Sequence, residues 1–577
     1  MSRFIFILFF LLPEAAPRGD LAAVRRQDDA VVGCGPATMA VLQTDAAGRY
    51  APVFPGWGHY HYAISTTIDS AQYYFDQGLS LYYGYHLTES LASFKEAALK
   101  DSNCVMTYWG QALAMGPYYN SIFSYKMPPE VLPVLNRMNI LAAGAGAREK
   151  DLAAVMNRRY SPDTTDSRRA ALDRDYSEGM KGLIGKYPDD KDIKALYVDG
   201  VMTEHAWDLW DTKGLPKPWT PELIKDCEAI LAADPYHPAA LHYHIHLLEA
   251  SLHPEVTLES AEKLKVLMPG VAHMVHMASH SYQRSGLYSK GVSSNDSANA
   301  AQEQYSAMAP QLHLTTNVFH YYAVEAFCAM TGGMYEKAMA AAEHGEKAVL
   351  SRPGLPKNNM QYFFMMPAMV QVRMGKWQAI LELPRPDRGW VYASLLSDFA
   401  RGMAFVRTGK LDSASRCLER LKVEMRDSSL IVRQRPSNAP VESALIAEGI
   451  LEGELCFATV GQPPKAGGRQ RSDGPAVAMA AFDRAMAHED GMSYVEPKDW
   501  LLPVRQYAGV CLLKLGKAAE AGKLYREDLE QNPGNGWALL GLSQSLAAQR
   551  KYAAGEYMDQ ARKAFANAEV MPTASAY

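Results

Sequence analysis

The sequence predicts an all-α protein, a right-handed superhelical α-solenoid of helix–turn–helix repeats, and three observations carry that reading. The first is an interval: Pro235 and Pro269, His242 and His276, and His246 and His280 are each 34 residues apart. One helix–turn–helix unit that stacks on copies of itself has that length. The second is periodicity. Segments rich in Ala, Leu, Glu and Lys with apolar residues every three or four positions dominate, and long Val/Ile/Thr alternations are scarce. The third is a set of recurring signposts, glycines, aromatics and small residues at fixed offsets, that runs through most of the chain.

The elements follow in order. Residues 1–16 read as a signal peptide, with Arg3 ahead of the apolar run Phe4–Leu12 and small residues at Ala15 and Ala16. That run is too short to span a bilayer, and no other stretch approaches transmembrane length. A true leader makes the protein exported, to the periplasm or the extracellular space; otherwise it is cytoplasmic. Residues 17–56 form a poorly structured lead-in segment. Residues 57–126 hold N-terminal repeats, in which Gly78, Phe94 and Ala97 occupy the glycine, aromatic and second-alanine positions of a unit. Residues 127–235 form an irregular helical segment whose Lys213–Pro221 stretch is a loop. Residues 236–345 are His-rich central repeats, with a longer insertion expected around Ser293–Leu314. Residues 346–577 are C-terminal repeats marked by Gly375, Gly409 and Gly516, with a Pro/Gly-rich basic loop at 462–473.

Composition narrows the function. The chain has 577 residues, 48% hydrophobic and 21% charged, with a net charge of -5. No Lys/Arg-rich run accompanies that charge, so there is no footprint for nucleic acid. The seven cysteines are scattered without a CxxC and do not form a disulfide framework, although one bridge is compatible with an oxidising compartment. His488-Glu489 lacks the second histidine of a metalloprotease helix, and there is no phosphate-binding or nucleophile-elbow motif.

The segments YFDQGLSLYYGYHLTESLASFKEAA (74–98), MTYWGQALAMGPYYN (106–120), HPAALHYHIHLLEAS (237–251), HMVHMASHSYQRSGLY (273–288), YVEPKDWLLPVRQ (494–506) and REDLEQNPGNGWALLGL (526–542) resemble a family of bacterial tetratricopeptide-repeat (TPR) proteins. Ala278 departs from the family pattern, which has proline there. The resemblance implies a solenoid of TPR-like repeats with a His-rich centre of the HxxxH and HxxHMxSH kind. It implies no reaction.

The centre is where the chemistry concentrates. Nine of the sixteen histidines fall between residues 242 and 320, where an even scatter would place about two. Taking Pro269 as the proline of its unit puts His242 and His276 at position 5 of a first helix and His246 and His280 at position 9. His273 and His320 fall at position 2. In repeats resembling these, positions 2, 5 and 9 face the concave groove. Residues four apart share a helix face, and packed helices lie about 8–10 Å apart, so imidazoles from adjacent helices can converge on one ion. His242, His246, His276, His280 and His320 are the candidate metal ligands. His273, Glu249 and Tyr282 are candidates for the groove or for orienting a ligand, and His244 is assigned to packing. Zn, Cu and Fe all suit imidazole, so the ligand type does not separate them.

Plainer readings stand beside this one. A single groove histidine is more commonly a hydrogen-bonding residue than a ligand, and duplication of one unit would copy its histidines. Against duplication, the two units differ almost everywhere else. Trp210, Trp377, Trp500 and Trp537 read as packing, and Arg505 as the partner of a carboxylate. His59-Tyr60-His61 reads as a surface pair, and Glu204-His205-Ala206-Trp207 as a weaker candidate for lining the groove. Three functions remain: a binding protein whose concave groove carries a transition-metal site, a metalloenzyme using the same cluster for oxidative or hydrolytic chemistry, and a metal-free scaffold. The groove would take a peptide, a protein or a small molecule. Whether the protein is an enzyme stays open.

Overall fold

Phe94 shows how the sequence makes a repeat. The helices α1 (Asp69–Tyr83), α2 (Leu87–Lys100) and α3 (Val105–Ala114) pack as a hairpin followed by the first helix of the next unit. Gly78 on α1 and Gly110 on α3 leave a notch, and the fully buried Phe94 ring of α2 fills it. The same logic recurs along the chain. In the computed structural model, which describes residues 42–315, 318–351, 356–459 and 474–577, 25 α-helices follow one another, each packed on its neighbours in sequence. No β-strand occurs among the described residues; Trp210 and Pro216 form an isolated bridge. The protein is an all-α solenoid.

The segment 42–56 carries no helix, yet it is anchored: Ala51 and Phe54 are buried, and the Phe54 N–H donates to Gln77 at 2.9 Å. The stretch 127–235 forms five helices, Val131–Ala142, Ala147–Arg158, Arg169–Lys186, Lys191–Glu204 and Thr220–Ala233. The central units comprise α4 (Pro238–Leu248), α5 (Leu258–Leu267), α6 (Ala272–Arg284), α7 (Tyr288–Met308) and α8 (Phe319–Thr331). The insertion expected near Ser293–Leu314 is largely a continuation of α7, because no Gly or Pro interrupts the chain there until Pro310. Between α6 and α7 the chain turns at Gly286, whose φ of 74° suits glycine, while the Leu287 N–H closes the turn on the Tyr282 carbonyl at 2.8 Å. The signal peptide expected at 1–16, the lead-in as far as residue 41, Cys34 and the 462–473 loop lie outside the described residues. No disulfide joins the other six cysteines among the described residues. No described helix is long and apolar enough to cross a membrane.

A simple solenoid makes contacts only between neighbouring repeats. This one adds contacts between units far apart in sequence. The Tyr305 hydroxyl donates to the Pro55 carbonyl at 2.8 Å, Arg284 donates to the Gln531 carbonyl at 2.7 Å, and the Trp537 indole donates to the Thr331 carbonyl at 3.0 Å. These contacts bring the N-terminal and C-terminal units over the central helices, and the histidines end up buried.

A second buried polar knot ties the N-terminal units to Lys191–Glu204. Asp192 accepts the Tyr60 and Tyr83 hydroxyls at 2.6 and 2.7 Å. Burial pushes its carboxyl up to about 7, against the two tyrosine hydrogen bonds that favour the anion. The folded state therefore holds this proton more tightly than the unfolded chain. The resulting contribution to stability is complete below the unfolded value near 3.8 and is lost as pH rises through about 7. Asp192→Asn cannot ionise, so thermal melts of the variant should depend less on pH between about 5 and 8 than those of the parent. Parallel pH profiles would refute the assignment.

Candidate metal centre

α4 presents His242 and His246 one turn apart, and α6 presents His273, His276 and His280 on successive turns. His320 enters from the first turn of α8. Their ligand atoms gather into two groups, His242/His246/His273 and His276/His280/His320, each with its members within 4.8 Å of one another. His246, Glu249 and His280 form a third such set that joins the two. All these side chains are buried except His320, which is partly exposed.

Hydrogen bonds place a proton on Nδ1 of four of the six rings. His242 Nδ1 lies 2.6 Å from the Tyr83 carbonyl, which can only accept. His276 Nδ1 lies 2.6 Å from Asn295 Oδ1, and the Asn295 amide is oriented by its own donation to the Gly291 carbonyl at 2.8 Å. His246 Nδ1 is 3.0 Å from one oxygen of Glu249, and His280 Nδ1 is 2.7 Å from the other. His280 Nδ1 also lies 2.5 Å from Glu496. With a proton held on Nδ1, each of these four rings turns its Nε2 toward the cluster. Such outer partners fix the tautomer and orientation of metal-ligating imidazoles.

The Nε2 atoms of neighbouring rings face one another. His242 Nε2 and His273 Nε2 are 3.1 Å apart, and His276 Nε2 and His280 Nε2 are 2.8 Å apart. Two imidazole nitrogens on one tetrahedral zinc stand about 3.4 Å apart, given Zn–N bonds of about 2.0–2.1 Å, so a slight opening admits an ion. His246 Nε2 and His273 Nδ1 are buried without any hydrogen-bond partner.

Electrostatics keep most of these rings neutral. Burial, reinforced by the neighbouring imidazoles, holds His242, His273 and His276 well below the usual histidine range. Burial and His280 likewise bring His246 and His320 down to about 3. His280 is the exception. Burial opposes its cation, but the carboxylates of Glu496 and Glu249 outweigh it and raise the group to about 10. In the metal-free chain His280 is thus an imidazolium that donates Nε2–H to His276, and a bound cation would take the place of that proton.

The structure brings together every candidate ligand named from the sequence and adds His273 to the inner set. Glu249 takes the orienting place, at the C-terminal end of α4. Tyr282 does not join them. Its hydroxyl accepts from Lys265 at 3.2 Å, on the side of α5, and its ring lies under Lys265 and Lys290. The reason is helical geometry: two residues beyond His280 is roughly 200° around the helix. His244, two residues beyond His242, likewise turns away and meets Ser260 at 2.9 Å.

Sequence reasoning missed Glu496 as a carboxylate at the centre and missed Tyr85 altogether. The Tyr85 ring stacks near those of His246 and His273, with centroids 5.9 and 5.5 Å away. Both residues come from units remote in the chain, and no spacing could announce them. Trp207 does line the site, stacked on Tyr119 at 5.4 Å. Arg505 pairs with Asp490 at 2.8 Å through both its terminal nitrogens.

Two cavities reach the histidines. One of about 210 Å³ is lined by Tyr119, Trp207, Trp210, His246, Glu249 and Tyr494. The other, about 40 Å³, touches His246, His280, His320 and Glu496. The first can admit a small molecule, whereas an extended peptide needs a longer groove.

No family model matches the sequence, and no curated protein is similar to it. Matching solved structures include yeast Tom70 (10% identity over 84% of this chain and 90% of that one, TM-score 0.28) and human IFIT1 in a dimer with m7Gppp-AAAA (12% identity, 87% and 96%, TM-score 0.34). A third is Cut9 with Hcn1 from the APC/C (12% identity, 86% and 78%, TM-score 0.27). Superpositions this loose carry no argument, so the fold rests on the helices and the site on its own geometry.

Proposed function

We propose that this protein is a transition-metal-binding helical-repeat protein whose ion sits among the central histidines and faces a small-molecule cavity. The observation that carries the reading is the set of four buried imidazoles whose Nδ1 protons are held by outer acceptors while their Nε2 atoms turn inward to the cluster. Apart from His280, these rings are neutral, the form that binds metal. A metal-free scaffold leaves the unpartnered His246 Nε2 without a role. Zn, Cu and Fe all fit a nitrogen-donor site of this kind.

A metalloenzyme is the second reading, and the cavity favours it. The larger cavity is lined by His246 and Glu249 together with Tyr119, Trp207 and Trp210, so a bound small molecule would lie beside the ion. Three histidines leave a metal position open, as catalytic sites require. Export through a leader at residues 1–16 belongs to the same proposal, and fractionation of cells expressing the full chain tests it.

Elemental analysis of protein purified without a His-tag or chelator tests the main reading. The parent should carry a stoichiometric amount of one transition metal, and His246→Ala/His280→Ala should carry none while keeping its helical circular dichroism. A parent that is metal-free and refuses added Zn, Cu and Fe would overturn the proposal.

A further inference from the structure

The two histidine groups are one constellation repeated. His242 and His246 hold positions 5 and 9 of one unit, and His273 holds position 2 of the next. One unit further on, His276 and His280 hold positions 5 and 9, and His320 holds position 2 of its successor. The fold preserves this relation. The ring centroids of His242 and His246 are 4.8 Å apart, and those of His276 and His280 are 4.7 Å apart. The position-5 to position-2 distances are 4.9 Å for His242–His273 and 4.6 Å for His276–His320. The position-9 to position-2 distances are 6.1 Å for His246–His273 and 5.6 Å for His280–His320. The two triads thus offer the same three donors at nearly the same spacing.

The six imidazoles group as two triads and not as one set. Each contains a pair of facing Nε2 atoms, 3.1 Å apart in the first and 2.8 Å in the second, which is close to the spacing of two nitrogens on one ion. Across the boundary His273 to His276 and His246 to His280 stand 6.0 and 6.1 Å apart, centroid to centroid, much as His246 and His273 do inside the first triad at 6.1 Å, so the triads adjoin and it is the two facing pairs that set them apart. The joining set of His246, Glu249 and His280 is a poor single site, because Glu249 already accepts an Nδ1–H from each of those rings.

We propose that the centre binds two transition-metal ions, one in His242/His246/His273 and one in His276/His280/His320, with Glu249 orienting a ligand of each. This rests on the metal-binding reading above and adds the number and arrangement of the ions. Three imidazoles per ion leave each with open positions. The triads adjoin, so those positions can be shared by one small oxygen-donor ligand, such as water or hydroxide, bridging the pair. Two-metal sites with bridged ions lie about 3.5–4 Å apart. Glu249 is shared in the same way, one carboxylate oxygen to each triad, and Glu496 adds a second anion beside His280 to offset the charge of the pair.

The test uses the full chain, stripped of metal and titrated with Zn(II) alone, with bound metal measured after desalting. The parent should take up about two equivalents, and His242→Ala/His273→Ala and His276→Ala/His320→Ala about one each. Loading with Cu(II) supplies a readout that needs no variant. Adjacent ions couple magnetically, so the parent's resonance signal per copper should fall well below that of an isolated site. One equivalent in the parent, or loss of all metal in either folded variant, would overturn the two-ion arrangement and leave the metal-binding reading standing. Two equivalents with uncoupled copper would also overturn it. No uptake at all would overturn both. Should a variant fail to fold, the parent's stoichiometry and copper signal decide.

Discussion

Glu249→Gln should weaken transition-metal binding by about 10–100-fold, the usual consequence of removing an outer carboxylate that orients metal-bound histidines. The residue touches neither of the facing Nε2 pairs, so the loss must come through the rings it holds. Its two oxygens accept the Nδ1 protons of His246 and His280, one from each triad, at 3.0 and 2.7 Å. Glutamine keeps the shape but offers one acceptor and one donor. One ring therefore loses its acceptor and turns or takes the other tautomer, and both lose the charge that makes the nitrogen a better donor. The measurement is a competition titration against a chromophoric chelator, with the exposed Glu255→Gln as control. The melting temperature of the metal-free variant should not fall by as much as its affinity implies, because the buried Glu249 anion is disfavoured by its own desolvation. Unchanged affinity would show that Glu249 does not orient the ligands.

The legible part of this molecule was the part written at short range. The 34-residue recurrence and the helical period gave the solenoid, because a repeat buries its face only against a copy of itself and must state that face in its own sequence. Positions 5 and 9 gave His242, His246, His276 and His280 for the same reason. His273 and His320 share position 2, yet only His320 is named a ligand from the sequence and His273 is assigned to the groove, because a place in the repeat says nothing about how closely the next unit approaches. Tyr282 was misplaced by treating a two-residue step as a shared face. Glu496 and Tyr85 were beyond reach. They join the centre through the contacts that Arg284, Tyr305 and Trp537 make between distant units, and those contacts follow from how the repeats curve together. Helix spacing records a face; it does not record what else is folded over that face.

The notch at Phe94 offers a sharper test of the repeat packing. Phe94→Ala should destabilise the chain by about 3–5 kcal/mol, the range for emptying a fully buried aromatic site. Gly110→Ala should also destabilise it, by about 1–3 kcal/mol, because a Cβ there would stand 2.3 Å from Phe94 Cδ1. The two costs should not add. Once the ring is gone, the methyl of residue 110 enters space the ring vacated, and alanine improves on glycine within a helix by about 1 kcal/mol. Gly110→Ala should thus be neutral or stabilising in the Phe94→Ala background. The coupling energy from a double-mutant cycle, read by denaturant unfolding, should be at least about 1 kcal/mol. Additive costs would mean that the glycine serves something other than the aromatic ring, and that the small and aromatic signposts of the sequence do not mark the packing of one helix into the next.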